Sequence, residues 1–222
     1  MDILEAIRAR KSIRGYKPDP IPQETLREII DIATRSPSAM NTQPWEITVV
    51  TGKVLDNIKQ DIIEMLNSGA TPSLKIPSKP FEGKYRQRQV DLAIQIFKLM
   101  GIAREDKEKR AEWMQRGFRF FDAPAAIILS VDKSLDEVHS QFDVGALTQT
   151  ICLTALNYGL GTCIEDQGVG FPEIARKFTH IPESQRIVTG IAIGYPDWDF
   201  PANKVESQRE PLEDVVTWCG FD

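Results

Sequence analysis

Histidine is nearly absent from this chain: His139 and His180 are the only two in 222 residues. That excludes a histidine-rich metal centre, and neither residue lies in the nucleophile motif that a His-based triad needs. Cysteine is scarce too. Cys152, Cys163 and Cys219 are odd in number and widely spaced, which gives neither a disulfide framework nor a zinc pattern. No apolar run approaches the roughly 20 residues that span a bilayer, and the opening MDILEAIRARKSIRG has no apolar signal-peptide core. A cytoplasmic protein without a membrane partner is expected. Positive charge is not in excess either: 27 Lys and Arg stand against 32 Asp and Glu, a formal net charge of −5, which argues against a general nucleic-acid binder. With most protein-borne catalytic constellations missing, an enzyme of this composition takes its chemistry from a cofactor.

What is present fits a soluble globular chain, with 41% hydrophobic and 27% charged residues. No repeat, low-complexity tract or linker marks a second domain, so residues 1–222 are read as one. The spacing predicts a helix over 2–10 with Asp2 as N-cap, and another over about 22–35 with Pro22 at its first position. Leu26, Ile29, Ile30 and Ala33 form the inner face of the second. A β-branched strand is expected at 46–51, a helix at about 53–67, and a loop with prolines at 72, 77 and 80. Residues 84–119 read as two helices broken near Gly101, with solvated, mixed-charge outer faces. The run AIILSV at 126–131 is apolar throughout, hence an interior strand. The stretch from Gln141 to Leu156 is apolar nearly all round and predicts a helix packed on every side at the centre of the fold. Gly159-Leu160-Gly161 ends it, and Thr162–Glu165 follows as a short extended segment. A short helix at about 172–178 and a strand at 186–193 complete the elements. The late apolar residues Val215, Val216 and Trp218 have no obvious partner in a domain already closed, so a second subunit is their natural cover.

Two stretches suggest binding chemistry. In an extended RKSIR segment, Arg10, Ser12 and Arg14 share one face, and two guanidinium forks flanking a hydroxyl suit an anion. In the loop SPSAMNTQPW, Ser38 and Asn41 are short side chains able to read a polar ring edge. Each also has an ordinary reading: a solvated basic run ending a surface helix, and a turn with Trp45 as a core plug.

Taken together, RKSIRGY (10–16), SPSAMNTQPW (36–45), FFDAPAAI (120–127), GLGTCIED (159–166), GYPD (194–197) and REPLEDVV (209–216) resemble the FMN-dependent nitroreductase family in its order and intervals. The resemblance implies a three-layer α+β fold with a mostly antiparallel central sheet. It also implies an intertwined homodimer with an exchanged C-terminal arm and FMN at the interface. Its phosphate clamp maps onto Arg10 and Arg209, with Lys11 and Ser12 nearby, and Arg14 maps beside the flavin N1/O2 edge. Pro37, Ser38, Ala39 and Asn41 would come from the other protomer. Cys163, Ile164 and Glu165 would line one ring face, with the Glu165 backbone N–H toward flavin N5, a donor for which the side chain at 165 need not matter. Gln141 is a further flavin contact, and a helical insert at about 69–119 covers the substrate side.

The implied activity is ping-pong: NADH or NADPH delivers hydride to flavin N5, and a nitroaromatic or quinone then takes two electrons in the same place. No catalytic side chain is required. Tyr85, Phe120 and Phe121 are candidates to stack on the acceptor, although they also fit as core residues. The same fold supports reductive dehalogenation, ene reduction or flavin cleavage, and a flavin-binding electron carrier is the rival of another class.

Overall fold

The structure, a computed structural model, describes residues 1–73 and 79–221; of the three prolines expected after the third helix, Pro77 lies outside the described residues. Among the described residues, seven α-helices surround one sheet: α1 (Ile3–Ala9), α2 (Gln23–Ala33), α3 (Gly52–Asn67), α4 (Gly83–Leu99), α5 (Lys107–Phe118), α6 (Glu137–Asn157) and α7 (Pro172–Thr179). The strands are β1 (Trp45–Thr51), β2 (Ala125–Asp132), β3 (Gly161–Glu165) and β4 (Gln185–Gly194). They run in the order β1-β2-β4-β3, every neighbouring pair antiparallel.

Helix α1 starts where the sequence places it. The Asp2 carboxylate accepts from Leu4 N and Glu5 N at 2.8 and 2.9 Å, and Glu5 reaches back to Asp2 N at 3.1 Å, a reciprocal cap. Pro22 is one place off: it is the N-cap of α2 and precedes the first helical residue. Its fixed φ of −57° suits either position, so the sequence alone does not choose between them. The break between α4 and α5 falls at Gly101, whose φ of 64° glycine adopts without a Cβ penalty.

Strand β2 is apolar throughout because both sheet faces are covered. Ala125, Ile127, Leu129 and Val131 face Leu26, Ile29 and Ala33 of α2 and Val144, Leu147 and Ile151 of α6. Ala126 and Ile128 face Leu55, Ile58 and Ile62 of α3 and Ile174 of α7. Each fully buried Leu or Ile contributes about 1.5–3 kcal/mol, so two such layers hold the sheet rigidly at the centre. The expected three-layer α+β fold is what the chain adopts.

The expectation that α6 is enclosed on every side does not hold within one chain. One stripe is buried, but Val138 and Phe142 on the other are 75% and 79% exposed. Ile3, Leu4 and Ile7 of α1 are exposed as well, as are Leu212, Val215, Trp218 and Phe221 of the tail.

Candidate functional site

The chain leaves α1 at Arg10 and runs extended along the outer edge of β3. Ser12 bridges Thr162 in parallel, Ile13 N donates to Thr162 O at 2.9 Å, and Tyr16 bridges Pro196. Ile13 points inward and is buried; Arg10, Lys11, Ser12 and Arg14 stay half-exposed. Among the described residues, Arg10, Lys11 and Arg14 form no ion pair. Three uncompensated cations on five consecutive residues, with a hydroxyl between them, make a strip that attracts an anion.

This segment is fixed by a residue with no local signal in the sequence. Asn203, buried at 1% exposure, accepts from Arg14 N at 2.7 Å and Gly15 N at 3.2 Å, and donates to Gly15 O and Asp197 O, both at 2.7 Å. Gly15 has no room for a side chain, because a Cβ there would overlap the Phe200 ring. Arg116 of α5 closes the other side. Its Nε donates to Arg14 O at 3.3 Å, its Nη2 to Phe121 O at 3.3 Å, and it pairs with Asp122 at 2.8 Å.

The turn Phe120-Phe121-Asp122 lies in left-handed backbone, with φ of 54°, 52° and 58°. For non-glycine residues this costs roughly 1–2 kcal/mol each, offset here by the Arg116 bonds and by Arg119 on Asp122 at 2.7 Å. The two phenylalanines were candidates to stack on an acceptor, and the structure corrects that. Phe120 is 0% and Phe121 6% exposed; both pack in the core beneath the sheet and offer no open ring face. Phe121 instead lies 6.0 Å from the Arg14 guanidinium. Tyr85 on α4 is different: it is 58% exposed, with the Arg88 guanidinium 5.5 Å from its ring.

On β3 the side chains alternate. Ile164 is 44% exposed, whereas Cys163 and Glu165 point into the core on the α3 side at 3% and 8%. Only Ile164 of the three presents a side chain outward, which leaves Cys163 and Glu165 their backbone with which to line a ring. Burial pushes the Cys163 thiol up to about 12, with Arg14 opposing, which leaves it a core residue and no nucleophile. Glu165 is the larger departure. Its Oε2 accepts from Gly168 N at 2.8 Å, while its Oε1 has no hydrogen-bond partner among the described residues.

The loop Pro37–Asn41 is built separately. Met40, Asn41 and Gln43 have φ of 49°, 59° and 47°, and Ser38 Oγ accepts from Gln43 N at 2.9 Å. Ala39 N donates to both oxygens of the buried Asp143 on α6, at 3.2 and 3.1 Å. Asp143 is the only acidic residue in the apolar part of that helix, a signal the sequence did offer. No hydrogen bond among the described residues joins this loop to Arg10–Arg14. Gln141 is exposed and bonds Glu137 of its own helix at 2.9 Å.

Arg209 is not brought to Arg10 within one chain. Its Nη1 donates to Ser207 O, Ser207 Oγ and Gln208 O at 3.1, 2.9 and 3.0 Å. It lies in a groove of about 560 Å³ between the tail and α4, closed by the Arg88–Glu210 ion pair at 2.6 Å, whose described lining includes neither Arg10 nor Ser12.

The comparisons with known proteins agree with this geometry. The model of the family described as "Nitroreductase family" matches residues 7–195. The chain is 34% identical to a 4-nitrobenzoate reductase of Pseudomonas putida, covering 100% of this chain and 97% of the relative. Among solved structures, it is similar to an FMN and NADPH-dependent nitroreductase NfnB from Sphigopyxis sp. strain HMH, with a TM-score of 0.94 at 27% identity over 100% of both chains. It is likewise similar to the FMN-dependent NfnB of Mycobacterium smegmatis solved in complex with NADPH, with a TM-score of 0.90 at 25% identity over 97% of each chain.

Proposed function

The chain belongs to the nitroreductase family, and on that premise we propose that it is a homodimeric FMN enzyme passing electrons from NADH or NADPH to nitroaromatic or quinone acceptors by a ping-pong course. The observation that carries this reading is the strip of cations, Arg10, Lys11 and Arg14, without an ion pair among the described residues, held along the outer edge of β3 beside the exposed Ile164. One end of that arrangement is cationic and the other apolar, which fits a phosphorylated flat ring.

Bound FMN supplies the two-electron chemistry, taking hydride from the nicotinamide and yielding electrons to the acceptor. The chain supplies the rest. Arg10, Lys11 and Ser12 hold the phosphate, and Arg209 joins them from the tail; within one chain its guanidinium donates to Ser207 and Gln208 and forms no ion pair among the described residues. Arg14 keeps a positive charge where the ring gains negative charge on reduction, a fixed charge that needs no reorganisation at that moment. The β3 edge, with the Glu165 N–H, supports the ring. Pro37, Ser38, Ala39 and Asn41, anchored through Asp143, complete the pocket of the other protomer, with Gln141 nearby. The exposed apolar stripes of α1, α6 and the tail support that dimer, since a monomer rarely leaves so much apolar surface uncovered. The chain works as one domain over residues 1–222, and the insert at 69–119 faces the acceptor, with Tyr85 its exposed aromatic.

Initial rates measured over a grid of NADPH and 4-nitrobenzoate concentrations test this. Parallel double-reciprocal lines are the expected result, because the first product leaves before the second substrate binds. Intersecting lines contradict the ping-pong course, and no turnover with either nicotinamide overturns the oxidoreductase reading.

A further inference from the structure

We propose that Glu165 is a proton-holding group of the site: its carboxyl rests neutral beneath the outer end of β3, and its ionisation controls the charge under the bound cofactor. This rests on the FMN reading above. The geometry is that of a buried carboxyl with too few partners among the described residues. Glu165 is 8% exposed, Oε2 accepts one N–H at 2.8 Å, and among the described residues Oε1 accepts none.

The enclosure is shaped to that side chain. A Cβ on Gly168 would lie 2.7 Å from Oε1, and one on Gly190, its register partner across β4, would lie 3.2 Å away. The fully buried Phe120 ring packs against the same two glycines.

The groups facing it are these. From its own loop come the N–H groups of Gln167 and Gly168 and the carboxyl of Asp166, whose Oδ1 accepts from Thr189 Oγ1 of β4 at 2.8 Å. From β3 comes the Cys163 thiol, and from the extended segment the Tyr16 hydroxyl, both held protonated by burial. Arg14 acts on Cys163 and Tyr16, but no cation pairs with Glu165 among the described residues. An ionised carboxylate here would keep one oxygen unsolvated and uncompensated, which strongly favours the neutral acid. Burial lifts this carboxyl from 4.5 to about 8, the Gly168 N–H opposing and the Asp166 charge adding to the rise. Below that range β3 carries no negative charge from Glu165. Above it, β3 carries a charge that would oppose the gain of electrons by a flavin held along its edge.

Two measurements test this. In flavin-free protein, carbon NMR of carboxyl-labelled glutamate should show one resonance titrating near 8 instead of 4.5, absent from Glu165→Gln and from Glu165→Leu. A Glu165 resonance in the ordinary glutamate range overturns the proposal whether or not flavin binds. In FMN-loaded protein, the flavin midpoint potential of the wild type should fall more steeply with pH above about 8 than that of Glu165→Gln, the two running parallel below about 7. Parallel curves throughout overturn the proposal and leave the FMN reading standing; failure of the wild type to take up FMN overturns that reading instead. If one variant does not fold, the other provides the comparison.

Discussion

Arg10→Glu combined with Arg14→Glu is expected to give a folded protein that no longer retains FMN, with affinity lower by at least about 100-fold. Charge-assisted hydrogen bonds are worth roughly 1.5–3 kcal/mol each. Losing two sets of them therefore amounts to about 3–6 kcal/mol, or about two to four orders of magnitude in Kd, before the repulsion between new carboxylates and phosphate is counted. Folding should survive, because neither arginine is in an ion pair among the described residues and both are half-exposed. The extended segment they sit on is held by its backbone, through Ser12 on Thr162 and through Asn203. Flavin content after purification and the melting temperature check the two halves separately. A double variant with wild-type flavin content would refute the anion strip.

Asn203→Leu is the second large effect, and it acts through the backbone. The amide satisfies four main-chain groups, Arg14 N, Gly15 N, Gly15 O and Asp197 O. Leucine leaves all four without that partner in a site 1% exposed. At about 1–3 kcal/mol for each unsatisfied buried group, with some relaxation toward water, the net cost is roughly 3–5 kcal/mol. For a chain of this size that lowers Tm by about 10–15 °C. The same change loosens the Arg14–Gly15 end of the cationic segment, so residual folded protein should also bind flavin weakly. Thermal unfolding measures the first effect, and a loss below about 1 kcal/mol would mean that water replaces the amide without penalty.

What was legible in the sequence follows from how far each signal reaches. The Asp2 cap, the apolar β2 and the glycine break at residue 101 are local, and they were readable because the physics that causes them acts within a few residues. Asn203 was not readable: its partners at 14 and 15 lie almost the whole chain away, and PANK looks like any turn. Glu165 was partly readable. Strand alternation puts 163 and 165 on one face, so a buried Cys163 implies a buried Glu165. The flavin resemblance drew attention to its backbone instead. For α6, an all-apolar sequence reports that every face is covered and is silent on whose chain covers it. The same blindness explains Arg209, which the motif assigns to a phosphate clamp and which, within one chain, folds onto its own tail beside α4.

The central claim is that an anion binds the Arg10–Arg14 strip and that this anchors the cofactor. Titration of flavin-free protein with FMN and, separately, with riboflavin addresses it directly, since the two ligands differ only in the phosphate. One FMN bound per chain, with riboflavin at least about 100-fold weaker, is the result expected. Equal affinity for the two, or no binding of either, would contradict it.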